Sequence, residues 1–183
     1  MRRKRSRVPA RALCLTMLGI LGLASAGGLA DQMRLSSSAF ANGAMIPAAY
    51  TCVGANESPP LEWTGLPPPA VTVALIVEDP DAPSGTFVHW VLYDLPVDAA
   101  THRGKLGENG TPPPNARQGT NGFGDSKYGG PCPPPGTPHH YHFKLYALDT
   151  KLGLPPGTSA DQVEAAMRTH VLATAELIGS FGR

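Results

Sequence analysis

The apolar positions of this chain fall into short runs that glycine and proline separate. Val71-Thr72-Val73-Ala74-Leu75-Ile76-Val77-Glu78 is β-branched and mostly apolar, which predicts a buried strand. Residues 87–95, Phe87-Val88-His89-Trp90-Val91-Leu92-Tyr93-Asp94-Leu95, predict another. Residues 141–148 alternate, with Tyr141, Phe143, Leu145 and Ala147 on one face. Residues 33–40 and 173–181 give weaker strand patterns. One helix is signalled over residues 159–170: Ser159 and Gln162 have the spacing of a capping box, and Val163, Ala166, Met167 and His170 follow at helical intervals. Many strands with one late helix predict an antiparallel, mainly β domain. Residues 104–138 break the pattern. They hold Pro112-Pro113-Pro114, Gly129-Gly130 and Pro133-Pro134-Pro135 and show no periodicity, the mark of a functional or disordered loop.

The first thirty residues stand apart. Arg2, Arg3, Lys4, Arg5, Arg7 and Arg11 precede an apolar run over residues 13–23, and Ala24-Ser25-Ala26 then offers a small-residue cleavage site, with Gly28-Leu29-Ala30 a second. This order is that of a signal peptide. The run is too short for a membrane span, which takes about 20 apolar residues. Residues 1–30 are therefore read as a signal peptide and 31–183 as one domain of an exported protein, periplasmic or secreted. Of the 15 Lys and Arg, six lie in the leader and none of the 14 acids do, so the remainder is net acidic. That balance, without basic runs, argues against nucleic acid and against electrostatic membrane association. Cys14 leaves with the leader. Cys52 and Cys132 remain, and an even count in an exported chain suggests a disulfide, with two separate buried thiols as the alternative.

Two segments carry the candidate chemistry. Asp79-Pro80-Asp81-Ala82-Pro83 follows the first strand and precedes His89-Trp90; Gly129-Gly130-Pro131-Cys132-Pro133-Pro134 precedes His139-His140-Tyr141. Alternation places Asp79 on the face of Val73, Leu75 and Val77, where a carboxylate needs a partner or solvent. It places His89 with Phe87 and Val91, pointing inward. His139 and Tyr141 project together, and His140 and His142 project oppositely. No Cys-x2-Cys pair or His-Glu-x-x-His helix marks a metal site, so neither a metal nor another cofactor is expected. No Gly-x-Ser-x-Gly elbow marks a serine hydrolase. Local turn chemistry would account for an isolated Asp-Pro-Asp.

These segments, with Ser58-Pro59-Pro60-Leu61, Trp63 and the closing Ala173-Thr174-Ala175-Glu176-Leu177-Ile178-Gly179, stand in an order that resembles the phosphatidylethanolamine-binding protein family, in its bacterial Raf-kinase-inhibitor-like branch. The resemblance implies a central antiparallel sheet, a smaller second sheet and one or two peripheral helices. It implies a pocket for a small anion or phospho-headgroup, ringed by Asp79, Asp81, His89, Gly130, Pro131, His139 and Tyr141. It implies binding without catalysis, and an extension to kinase- or protease-inhibitor-like regulation of an unidentified protein partner. The alternative is a hydrolase acting on an ester or phosphoester with His89 and Asp79. Many family members carry His-Arg-Tyr where this chain has His139-His140-Tyr141. A titratable group there implies weaker, more pH-sensitive anion binding if position 140 supports the anion, and nothing if it faces away.

Overall fold

The computed structural model describes residues 32–98, 100, 103–107 and 111–183. The signal-peptide reading of residues 1–30 lies outside the described residues. Among the described residues, eight strands form two antiparallel sheets. The larger sheet is built from β3 (Thr72–Asp79), β4 (Phe87–Pro96), β6 (Arg117–Gln118), β7 (His139–Leu148) and β8 (Val171–Phe181), in the order β6-β4-β3-β7-β8. The smaller sheet is β1 (Arg34–Ser36), β2 (Leu61–Thr64) and β5 (Gly104–Leu106), in the order β1-β2-β5. A single α-helix, α1 (Ala160–Met167), completes the described elements together with one 3₁₀ turn, Ala48–Tyr50.

The apolar pattern explains the layers. Val73, Leu75 and Val77 of β3 meet Leu61 and Trp63 of β2 and Leu106 of β5, forming the core between the sheets. Ala74 and Ile76 point the other way and meet Ala160, Val163 and Met167 of α1. β3 is thus covered on both faces, as its nearly continuous apolar run requires. The helix begins where its capping box lies: Ser159 Oγ accepts from the Gln162 backbone, and Gln162 Oε1 accepts from the Ser159 backbone. It ends at Met167, before His170, whose N–H donates to the Met167 carbonyl in the turn that leads directly into β8.

The strand expected over residues 33–40 is only three residues long. Ser37 ends it, because its hydroxyl donates to the Pro60 carbonyl and accepts from Ala39 N–H in place of ladder bonds. The aperiodic stretch over residues 104–138 opens on β5 and also contains β6, both too short to show a period. Cys52 and Cys132 form a disulfide with a Cα–Cα separation of 5.4 Å. It joins the 3₁₀ region to the loop that precedes β7.

Candidate functional site

Asp79 is the last residue of β3 and, with Val73, Leu75 and Val77, faces the space between the sheets, but it lies beyond the apolar layer. Its carboxylate is almost fully buried and doubly engaged. Oδ1 accepts from the Asp81 backbone N–H at 2.9 Å, and Oδ2 accepts from Nδ1 of His139 at 2.7 Å. The first bond closes the Asp-Pro-Asp turn, so the local turn chemistry and the site chemistry use different oxygens of one side chain. The second fixes His139: its Nδ1 carries the proton, and Nε2 is the ring atom left for a ligand.

His89 reaches the same place by a different route. Val77 pairs with Trp90, but the next residue of β3, Glu78, pairs with Val88. His89 is therefore the extra residue of a β-bulge, and the bulge turns it to the same side as Trp90. The expected inward direction holds and so does the contact with Phe87, yet Val91 packs on the helix side of the sheet and does not share a face with His89. Strict alternation fails at the bulge. His89 Nδ1 lies 2.6 Å from the Gly129 carbonyl oxygen, and Gly129 N–H donates back to the His89 carbonyl. A carbonyl only accepts, so Nδ1 is protonated and Nε2 is again the free ring nitrogen. Burial pulls the His89 pKa below the ordinary histidine value, against the opposing pull of the Gly129 carbonyl and Asp79.

Tyr141 lies under both. Its ring centroid is 5.1 Å from that of His89, edge to face, and its hydroxyl is buried near the Asp79 carboxylate. Burial, reinforced by the nearby Asp79 carboxylate, pushes its pKa well above the ordinary phenol value, so the hydroxyl remains a donor. Beside these groups lies a cavity of about 190 Å³; Tyr141 packs against His89 but is not among the residues that line it. Asp79, His89 and His139 supply its polar side chains; Pro83, Phe87, Phe123, Pro133 and Pro134 supply most of its walls.

The other expected site residues stand back from the cavity. Asp81 points to the outer surface, where its carboxylate accepts from both the backbone N–H and Nδ1 of His140, each at 2.8 Å. Those two bonds hold its pKa below the ordinary carboxylate value. Gly130 donates its N–H to Asn56 Oδ1 at 2.8 Å and so does not offer it to a ligand. A Cβ on Gly130 would lie 2.6 Å from the Tyr50 carbonyl oxygen, so the position admits only glycine. Pro131 uses its carbonyl to accept from Cys52 N–H. Gly130 and Pro131 thus pin the loop that carries Cys132, Pro133 and Pro134 to the cavity wall. Residue reading missed Phe123 and the Gly129 carbonyl. Phe123 had a signal: an aromatic set between Gly122 and Gly124, away from any predicted strand. The carbonyl had none.

Comparisons with known proteins bear on the family and the fold. The family model for phosphatidylethanolamine-binding protein matches residues 36–182. The chain belongs to the phosphatidylethanolamine-binding protein family. UPF0098 protein PH1269 of Pyrococcus horikoshii is 46% identical over 175 residues, spanning 93% of this chain and 88% of that protein. LppC of Mycobacterium tuberculosis, named as a candidate lipoprotein, is 41% identical over 156 residues, 83% of this chain and 73% of its own length. Among solved structures, Chlamydia trachomatis CT736, described as a candidate phosphatidylethanolamine-binding protein homologue, is 39% identical with a TM-score of 0.75, covering 83% of this chain and 98% of that one. In this phosphatidylethanolamine-binding protein family member, His140 faces away from the cavity and binds Asp81. Of the two places open to it from sequence, it occupies the outer one.

Proposed function

We propose that this is an exported protein that binds a small anionic or phospho-headgroup ligand in the cavity lined by Asp79, His89 and His139, without turning it over. The observation that carries the reading is convergence. Two imidazoles from different strands each commit Nδ1 to a protein acceptor and keep Nε2 for a ligand, in a cavity with rigid proline walls. At about 190 Å³ it is below the usual size of drug-like sites and suits one tetrahedral or planar anion with a short substituent. Family membership supports a ligand of this kind. Export is supported by the leader pattern and by the Cys52–Cys132 disulfide, which an oxidising compartment would maintain. No helix among the described residues is long and apolar enough to cross a membrane.

The His139–Asp79 pair also resembles a general base with its orienting carboxylate, and this gives the hydrolase reading its one point of support. The carboxylate partners His139, however, and not the His89 of that reading. Calorimetric titration with phosphoethanolamine separates the two. The binding reading expects saturable heat with no release of inorganic phosphate. His89→Ala should weaken binding by about 1–3 kcal/mol, the loss of a hydrogen bond to a charged group. His142→Ala, whose ring pairs with Glu176 on the other face, should leave it unchanged. Phosphate release abolished by His139→Ala would favour turnover. Equal losses for the His89 and His142 variants, both folded, would overturn the assignment.

A further inference from the structure

An anion site ordinarily includes a fixed cation, and this cavity has none. Its described lining contains no lysine or arginine. Of the cations nearest in sequence, Lys127 pairs with Asp125 and Lys144 with Glu78, and Arg183 donates to the carbonyl of Pro133 in the cavity wall but is not itself part of the lining. The charged groups that face the cavity are Asp79 from β3 and His139 from β7, joined to each other; whatever positive charge His139 carries is already met by Asp79. The uncharged groups facing His89 are Tyr141 from β7, Phe87 from its own strand, and Phe123 and the Gly129 carbonyl from the loop before β7. With His89 neutral, the polar centre is therefore at most electrically balanced, and His89 presents a lone pair at Nε2. A lone pair repels an oxyanion and accepts from an O–H.

We infer that the site takes its oxyanion together with one proton, held between a ligand oxygen and Nε2 of His89, and so selects ligands that bring a proton of their own. This deepens the anion-binding reading above and rests on it. The proton is conserved on either route. A protonated ligand, such as a phosphate monoester monoanion, donates its P–OH to the neutral imidazole. A fully ionised ligand binds only if His89 first takes a proton from solvent and then donates N–H to the oxygen. Both routes give the same complex, one proton richer than the neutral site plus the bare anion. Burial of His89 opposes the second route, because solvent must charge an imidazole that the apolar walls keep neutral. Phosphate monoesters, whose second ionisation lies near pH 6, can use the first. Sulfate and phosphodiesters carry no proton near neutral pH and are confined to the second. The chemical class is thus a monoesterified or free phosphate, in preference to a diester, a sulfate or a carboxylate, all of which are ionised near neutral pH.

The test is isothermal titration of the oxidised protein with inorganic phosphate and with sulfate, from pH 6 to 8.5, in two buffers of different ionisation enthalpy. At pH 7.5 the heats should differ between buffers by an amount equivalent to about one proton taken up per sulfate bound, and to less per phosphate, part of which already carries the proton. Above that pH the apparent Kd should rise roughly tenfold per pH unit, the slope of one linked proton. At pH 6.5 phosphate should bind roughly tenfold or more tightly than sulfate, the equivalent of one lost hydrogen bond to a charged group. His89→Gln should lose the proton uptake and flatten the pH profile. If that variant does not fold, the buffer comparison on the unaltered protein decides alone. Binding of both anions with equal affinity, no proton uptake and a flat profile would overturn this inference and leave the anion site standing. Proton uptake that persists in folded His89→Gln would also overturn it. Failure of phosphate and sulfate to bind at every pH would overturn the inference and the anion-binding reading together.

Discussion

The first two residues of β7 make the same bond on opposite sides of one strand. His139 Nδ1 meets Asp79 Oδ2 at 2.7 Å, and His140 Nδ1 meets Asp81 Oδ2 at 2.8 Å. The two carboxylates are also two residues apart, on the same proline-stiffened turn. Only solvent distinguishes the pairs. The side chains of the inner pair are 10% and 5% exposed, those of the outer pair 58% and 44%. Water screens the outer bond and can replace either partner, so it contributes at most about 1 kcal/mol. The inner bond has no such substitute. Breaking it leaves a buried polar group without a partner, a loss several times larger. Sequence spacing alone set the two pairs beside each other. The pleat of the strand, which sends one residue in and the next out, made one a candidate binding element and the other a surface contact.

The sharpest way to break this comparison is to remove each carboxylate in turn. Asp79→Ala leaves His139 Nδ1 and the Asp81 N–H without their acceptors. It should lower the unfolding free energy by about 3–5 kcal/mol, the range for breaking a buried pair, in urea denaturation of the oxidised protein. Asp81→Ala in the same assay should cost about 1 kcal/mol or less. Equal losses would mean that burial does not separate the pairs.

The disulfide sharpens the contrast further, since only the inner site has a wall tied by it. Cys132 lines the cavity, and the bridge closes a separation of 80 residues. Replacing both cysteines by serine should cost about 2–4 kcal/mol of stability. It should also weaken phosphate binding, because Pro133 and Pro134 lose their covalent anchor. The Asp81 carboxyl titration, followed by NMR, should stay where it is. A moved Asp81 titration with unchanged phosphate affinity would show the bridge holding the outer surface and not the cavity.

What the sequence made legible follows from the range of the interactions involved. The long strands β3, β4, β7 and β8 and the helix were readable because each has a periodic apolar face or a local cap. β2, β5 and β6 are two to four residues long and hold their place by pairing alone, so they have no period to read. Asp79, His139 and Tyr141 were readable from the pleat. The inward turn of His89 was expected, but its cause was not: the bulge arises from the pairing of β4 with β3, a non-local fact. Gly130 and Pro131 were placed around the pocket by resemblance, and stand beside it through Asn56 and Cys52, which lie some 75 to 80 residues earlier in the chain. The Pro83 and Phe87 walls come from the β3–β4 turn and the Phe123 wall from a loop some 36 residues later, and no single stretch of sequence announces a cavity made by their meeting.

The smallest expected effect is also the one that tests whether the departure at position 140 matters. His140 stands where the family resemblance implies an arginine, and its ring is turned from the cavity toward Asp81. His140→Ala should therefore change phosphate affinity less than twofold and stability by less than about 1 kcal/mol. Its small effect on stability should be present near neutrality and vanish in acid. The Asp81 pKa is lowered in the folded protein by the bonds from His140, first the side chain and then the backbone. A depressed carboxylate pKa stabilises the fold fully above its unfolded value of about 3.9, and the contribution is lost as pH falls through the lower folded value. Alanine removes the side-chain bond and keeps the backbone one, so the Asp81 titration should move up toward the ordinary value without reaching it. Carboxyl-detected NMR across pH 2–6 reads that movement directly, and phosphate titration near neutrality reads the affinity. An affinity loss of tenfold would place position 140 in the electrostatics of the pocket despite its outward ring. An Asp81 titration that does not move would show that the imidazole bond contributes nothing to holding the carboxylate ionised.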